Sequence, residues 1–146
     1  NLVNLYCMLN YIDLNDENNK TSFQTVSERE NAEVVYEPQY LPKSAVYDET
    51  ELSALIAFDK IGDNNSILNW IDENGNLIME NVQEYVQFKK IDNVYFADII
   101  DISSTDVNGE LNLSSFANLT ELYCNNTSLT SVLITLRVHP FPSRTR

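Results

Sequence analysis

Apolar residues along this chain come in short clusters separated by polar, asparagine-rich stretches. Leu2-x-x-Leu5-x-Cys7 opens the chain with apolar residues that share one face of a short strand. Asn15-Asp16-Glu17 then predicts a capped helix running through Phe23 and Val26 towards Glu30, and residues 32–36 read as a short strand ended by Pro38. Residues 40–45 read as a linker. Asp48 as N-cap, with Glu51 three positions later, has the form of a capping box. It opens a helix whose stripe is Leu52, Leu55, Ile56 and Phe58, closed by Gly62-Asp63-Asn64-Asn65. Ile67, Leu68, Trp70 and Ile71 form a further apolar cluster, Asn74-Gly75 is a turn signal, and residues 85–88 suit a strand. Val94 leads into the apolar run Ile99-Ile100-Asp101-Ile102.

One of these patterns recurs. Asn1-Leu2-Val3-Asn4-Leu5-Tyr6-Cys7 returns as Asn118-Leu119-Thr120-Glu121-Leu122-Tyr123-Cys124, with five of seven positions identical. Both copies continue along one template, Leu2-x-x-Leu5-x-Cys7-x-x-Asn10-x-Ile12 and Leu119-x-x-Leu122-x-Cys124-x-x-Thr127-x-Leu129. A weaker copy, Ala97-x-x-Ile100-x-Ile102-x-x-Thr105-x-Val107, lies 22 residues before the second. The Asn or Thr of each copy is expected to turn the chain, its side chain bonding backbone groups left unpaired by the turn.

The template resembles the leucine-rich repeat, whose period is roughly 20–29 residues. The alternative is a coincidence of leucine-rich strands in an ordinary β-sheet. The resemblance implies an α/β fold of leucine-rich repeat solenoid fragments, with short parallel strands and helical caps. On that reading residues 1–39 are the last repeat and C-terminal cap of a first array, and 40–47 a linker. Residues 48–93 are a helical N-terminal cap, 94–135 the coils of a second array, and 136–146 an irregular basic tail. The resemblance further implies a bacterial cell-surface or secreted protein of internalin-like or adhesin-like type, acting as a non-catalytic protein-binding module. The alternative is a structural spacer or cap attached to a larger secreted enzyme or surface protein. Fraying is expected beyond Leu129 unless the tail or an oligomer covers the end, since such stacks need about three or more repeats. Cys7 and Cys124 share one inward template position, where free cysteine behaves as a small apolar residue, and both are expected buried and reduced. Trp70 reads as a cap-core residue, with ligand stacking as the alternative.

Charge narrows the partners. The chain has 146 residues, 9 Lys plus Arg against 22 Asp plus Glu, and a formal net charge of -13. That balance argues against nucleic acid and anionic membranes, which require a basic patch. No apolar run is long enough to insert into a membrane. Beginning inside an apolar pattern, the chain reads as a segment of a longer protein, with no signal peptide within it. A single histidine (His139), three glycines and two cysteines leave little material for a His-based metal site, a catalytic triad, a phosphate loop or a disulfide framework. Asp72-x-Asn74-Gly75-Asn76 with Glu80 misses the spacing of a calcium loop and reads as a polar turn. No cofactor, metal ligand or catalytic residue is expected. The candidate binding residues are Asp98, Asp101, Glu121 and Tyr123, at variable positions on or near the exposed strand face. Their acidity favours a basic protein partner and salt-sensitive association. Tyr123, repeated as Tyr6, either contacts that partner or packs against a neighbouring coil's tyrosine. The oligomeric state is left open.

Overall fold

The computed structural model describes residues 2, 4–8, 10–35 and 39–135. The basic tail at 136–146, and residues 36–38 at the end of the strand predicted over 32–36, lie outside the described residues. By its contacts the chain divides into two units, Asn1–Ala45 and Val46–Arg146.

In the first unit, the Asp16 carboxylate accepts the amides of Asn18 and Asn19 at 2.9 and 3.1 Å and starts α1, Glu17–Ser27. Glu17 in the first turn suits the positive helix end. Two three-residue strands, β1 (Asn4–Tyr6) and β2 (Glu33–Val35), pair in parallel with α1 as the crossover. Asn10 closes the turn after β1, its amide donating to the carbonyls of Cys7 and Met8 at 2.9 Å. Val26 is the one buried apolar side chain among the described residues of this unit. So thin a core predicts low local stability. Native-state hydrogen exchange should therefore show α1 amides opening at lower free energy than core amides of the second unit. Equal protection in the two would contradict this.

The second unit is built on α2, Glu49–Asp59, which Asp48 caps by accepting the Glu51 amide at 3.0 Å. Two short helices follow, α3 (Asn64–Leu68) and α4 (Met79–Val82). The Asn74-Gly75 turn between them closes with Gly75 at φ +83°, and the Asp72 carboxylate is committed to it, accepting the amides of Asn74 and Asn76, both at 2.9 Å. Strands β3 (Val86–Ile91) and β4 (Val94–Asp101) form an antiparallel hairpin. Its two turn residues, Asp92 and Asn93, both take positive φ, as a tight hairpin turn requires. The remaining strands are β5 (Asn108–Asn112), β6 (Glu121–Tyr123) and β7 (Ser128–Leu133). β6 runs parallel to β4, and β7 parallel to β5. One core gathers Leu55 and Phe58 from α2, Leu68, Trp70, Val82 and Val86, and Ala97, Ile100, Ile102, Val107, Leu111, Leu113 and Phe116. It draws on both residues 48–93 and residues 94–135. Trp70 belongs to it, 1% exposed, its ring 6.1 Å from the rings of both Phe58 and Tyr85.

The local bonds of the repeat template are present. Thr105 and Thr127 donate to the carbonyls of Ile102 and Cys124 at 2.6 and 2.8 Å, as Asn10 does in the first unit. The offset of 22 residues is the pairing register of β4 with β6, Ile100 opposite Leu122. The expected leucine-rich repeat solenoid is nonetheless overturned. The described strands fall into three separate small sheets, ordered β1-β2, β3-β4-β6 and β5-β7, accompanied by four helices. A solenoid needs one parallel step repeated through a continuous sheet. Here the step occurs once in each sheet, and the antiparallel strand β3 occupies the other side of β4, where a further parallel coil would have to add. The fold is mixed α/β, and the alternative weighed from sequence, leucine-rich strands in ordinary sheets, describes it better.

One smaller expectation also changes, the burial of the cysteines, and another, fraying beyond Leu129, meets its structural setting. β7 pairs with β5 as far as Leu133, with the Leu113 amide reaching the Leu133 carbonyl at 2.8 Å, and hydrogen exchange through Ile134 in the monomer is the measurement that decides whether this end frays. Cys7 and Cys124 carry free thiols but are half-buried rather than buried, because both sit at the margin of their unit's packing.

Candidate functional site

The three-stranded sheet turns one face inward, through Val86, Ala97, Ile100 and Leu122, and the other to solvent. Alternation along the strands puts Gln87, Ile99, Asp101, Glu121 and Tyr123 on the outer face. The register places Ile99 opposite Glu121 and Asp101 opposite Tyr123. Three of the four residues picked out from sequence, Asp101, Glu121 and Tyr123, therefore stand together on one rigid strand surface.

Asp98 does a different job. The register passes from Gln87 opposite Ile99 to Phe88 opposite Ala97, which makes Asp98 the extra residue of a β-bulge. The bulge aims its carboxylate at Lys89 on β3 (3.0 Å) and at the Thr120 hydroxyl before β6 (2.7 Å). The Asp98 carbonyl also accepts the Thr120 amide at 2.8 Å. The Thr120 hydroxyl, and after it the Lys89 ammonium, hold this carboxyl below the usual carboxylate range. Asp98 joins the strands of the sheet; it is a support of the face rather than a free contact.

On the face itself, the Tyr123 hydroxyl donates to Glu121 at 2.7 Å while its ring stays 48% exposed. That hydrogen bond, followed by the charges of Glu121 and Asp101, raises the phenol above its ordinary range. Tyr123 is therefore a neutral donor at physiological pH. Asp101 accepts the Ser103 amide and hydroxyl at 3.0 and 2.5 Å, which fixes the loop leaving β4. The same device appears in the first unit, where Tyr6 donates to Glu33 on the neighbouring strand and remains 56% exposed. The alternative of tyrosines buried against one another is not realised.

Sequence reasoning missed three polar residues of the core. Glu51, assigned from its spacing to a capping box, turns away from the helix end. Its Oε2 accepts the Ala97 amide of β4 at 2.7 Å, while Oε1 is buried without a protein partner. Burial pushes this carboxyl up to about 7, the Ala97 bond and Lys89 opposing and Asp48 adding to the rise. Asp59, fully buried, accepts the Asn65 side-chain amide at 2.6 Å and the Trp70 backbone amide at 3.2 Å. Asn64, also fully buried, bonds both backbone groups of Asn108. Burial of polar groups at single positions of apolar elements leaves no motif to read. Lys89, the cation nearest the site, was missed because only the bulged register brings it to Asp98.

Among the described residues no group of three or more His, Cys, Asp and Glu side chains is placed to hold a metal ion. No described helix is long and apolar enough to cross a membrane. The chain matches no family model, no curated protein and no solved structure. The functional reading therefore rests on the geometry of this one face.

Proposed function

We propose that the second unit is a non-catalytic protein-binding module whose contact surface is the outer face of β3, β4 and β6. One observation carries this reading. Tyr123 holds a large aromatic ring out of the core on a rigid strand, flanked by Asp101 and Glu121. Aromatic anchors of this kind supply much interface energy. The surrounding carboxylates, in a chain of net charge -13, favour a basic partner and association that weakens with salt. An extracellular or cell-surface setting is part of this proposal and is supported only by the sequence resemblance to bacterial surface repeats.

A panel of Lys- and Arg-containing peptides titrated calorimetrically onto the 146-residue chain tests the reading. Tyr123→Ala and Glu121→Lys should each weaken binding by roughly tenfold, with circular dichroism unchanged. Asp98→Ala should instead lower stability, since it removes the tie between β3, β4 and Thr120. Peptides that bind both face variants as tightly as the parent chain would sink the proposal. The second reading, a structural spacer, is favoured by the division of the chain into two units after Ala45. It predicts no partner for this face at all.

A further inference from the structure

We propose that two copies of this chain associate through the free edge of β7 and the apolar end of the second unit beside it. β7 is bonded along one side, to β5, and among the described residues no strand lies along its other side. Natural proteins blunt such edges with charge, proline or distortion, because an unpaired row of N–H and C=O groups templates further pairing. Residues 127–135, Thr-Ser-Leu-Thr-Ser-Val-Leu-Ile-Thr, contain no charged residue, no proline and no glycine. The one irregularity is Thr130, the extra residue where the register steps from Leu129 to Ser131. Past it, Val132, Leu133 and Ile134 are 37%, 47% and 60% exposed. Next to them lies a cleft of about 490 Å³ lined by Leu113, Phe116, Leu119, Leu122 and Ile134. Leu119, Leu122 and Leu129 border the core here and are only partly covered.

The chemistry of this end selects its occupant. The carboxylates near this end are Glu121, in the lining of the cleft, and Glu110 on β5, which accepts the Ser131 hydroxyl at 3.0 Å, whereas β7 itself carries no charge. What fits is an extended, uncharged segment with aliphatic side chains and an unpaired backbone edge of its own. Residues 127–135 are such a segment. Copies of a chain with net charge -13 repel one another over most approaches, and an uncharged strand is where they meet with least opposition. Antiparallel pairing of β7 with its copy about a twofold axis brings no like charges opposite each other. It satisfies the outward N–H and C=O groups of both strands and closes the assembly at two, since the edge is used up. Salt should tighten this association by screening the remaining repulsion, the opposite of its effect on a basic partner at the sheet face.

Sedimentation velocity over a wide concentration range, at low and high salt, tests this on the 146-residue chain. The expected result is a monomer–dimer equilibrium that strengthens with salt. Leu133→Lys should raise the dimer dissociation constant by roughly tenfold or more, with circular dichroism unchanged. Ile134→Lys, outside the strand ladder, gives the same readout should Leu133→Lys disturb folding. A chain that stays monomeric throughout, a dimer indifferent to both substitutions, or growth beyond two copies would overturn the proposal. So would hydrogen exchange showing outward β7 amides protected in the dilute monomer, the mark of cover by residues 136–146.

Discussion

Glu51→Gln stabilises the second unit above neutral pH and removes a specific slope from its pH profile. Glu51 is 1% exposed, with one oxygen on the Ala97 amide and the other without a protein partner. Its carboxyl sits at about 7 in the folded chain against an ordinary 4.5, chiefly because burial disfavours the charged form. Between those values the folded chain holds a proton that the unfolded chain has released. The contribution of Glu51 to stability is thus fully present below the ordinary value, is lost as pH rises through about 7, and stays lost above it. At about 1.4 kcal/mol per unit, the loss is on the order of 3 kcal/mol. Glutamine keeps the shape and the acceptor for Ala97 but never charges. Denaturant unfolding should therefore show parent chain and variant nearly equal at about pH 4.5, and the variant ahead by about 2–3 kcal/mol at about pH 8. A difference between the two proteins that does not vary with pH would refute the assignment. The half-buried carboxylates Asp48, Asp72 and Asp98, whose hydrogen bonds lower them, act in the opposite sense. Their stabilisation disappears as pH falls into the acid range, below the window in which that of Glu51 is lost, so the comparison of variant with parent from about pH 4.5 to about pH 8 reads Glu51.

Asn64→Ala removes the link between the helical half of the second unit and β5. The Asn64 side-chain amide donates to the carbonyls of Phe58 and Asn108, both at 3.0 Å, and its oxygen accepts the Asn108 amide at 2.8 Å. It thus serves Asn108 as a neighbouring strand would, 44 residues away in sequence. All three bonds lie at a fully buried side chain. Alanine takes these partners from the Asn108 amide and carbonyl without room for bulk water, while the Phe58 carbonyl keeps the Ile61 amide at 3.1 Å, and a loss of about 2–3 kcal/mol is expected by denaturant unfolding. Asn64→Asp keeps the acceptor for Asn108 but faces two carbonyls with a carboxylate. It should be at least as damaging at neutral pH and partly recover in acid, where the protonated oxygen donates again. A loss below about 1 kcal/mol for Asn64→Ala would mean that water or a shifted loop replaces these bonds.

The same region explains part of what the sequence concealed. Gly109 sits beside Asn108 at φ +83°, and a Cβ there would lie 2.4 Å from the Ile61 side chain. The loop after α2 therefore presses directly on the backbone of β5. Nothing in the Asn-Gly-Glu phrase distinguishes this close approach from an ordinary turn. The hairpin of β3 and β4 was likewise hidden. Its turn, Asp92-Asn93, lacks the glycine that marks most such turns, yet both residues tolerate positive φ.

Local chemistry was legible wherever a few neighbouring residues decide the outcome. Asp16 and Asp48 start helices as their positions imply, because capping involves atoms within one turn. Asn10, Thr105 and Thr127 turn the chain in the way the repeat template requires, because each bonds a carbonyl two or three residues away. The outward placement of Asp101, Glu121 and Tyr123 follows from alternation along short strands. Assembly was not legible, because it depends on which strand edges meet. Identical local phrases can stack into a continuous solenoid or close into separate sheets, and the antiparallel partner β3 on β4 selects the second outcome. The bulge that turns Asp98 from a free contact into a tie exists only in that pairing. Glu51 shows the same division most sharply: its spacing from Asp48 is that of a helix cap, yet packing of α2 against β4 turns its carboxylate into the core. Bonds between near neighbours are written in the order of residues, whereas pairing register and burial are properties of the whole packed chain.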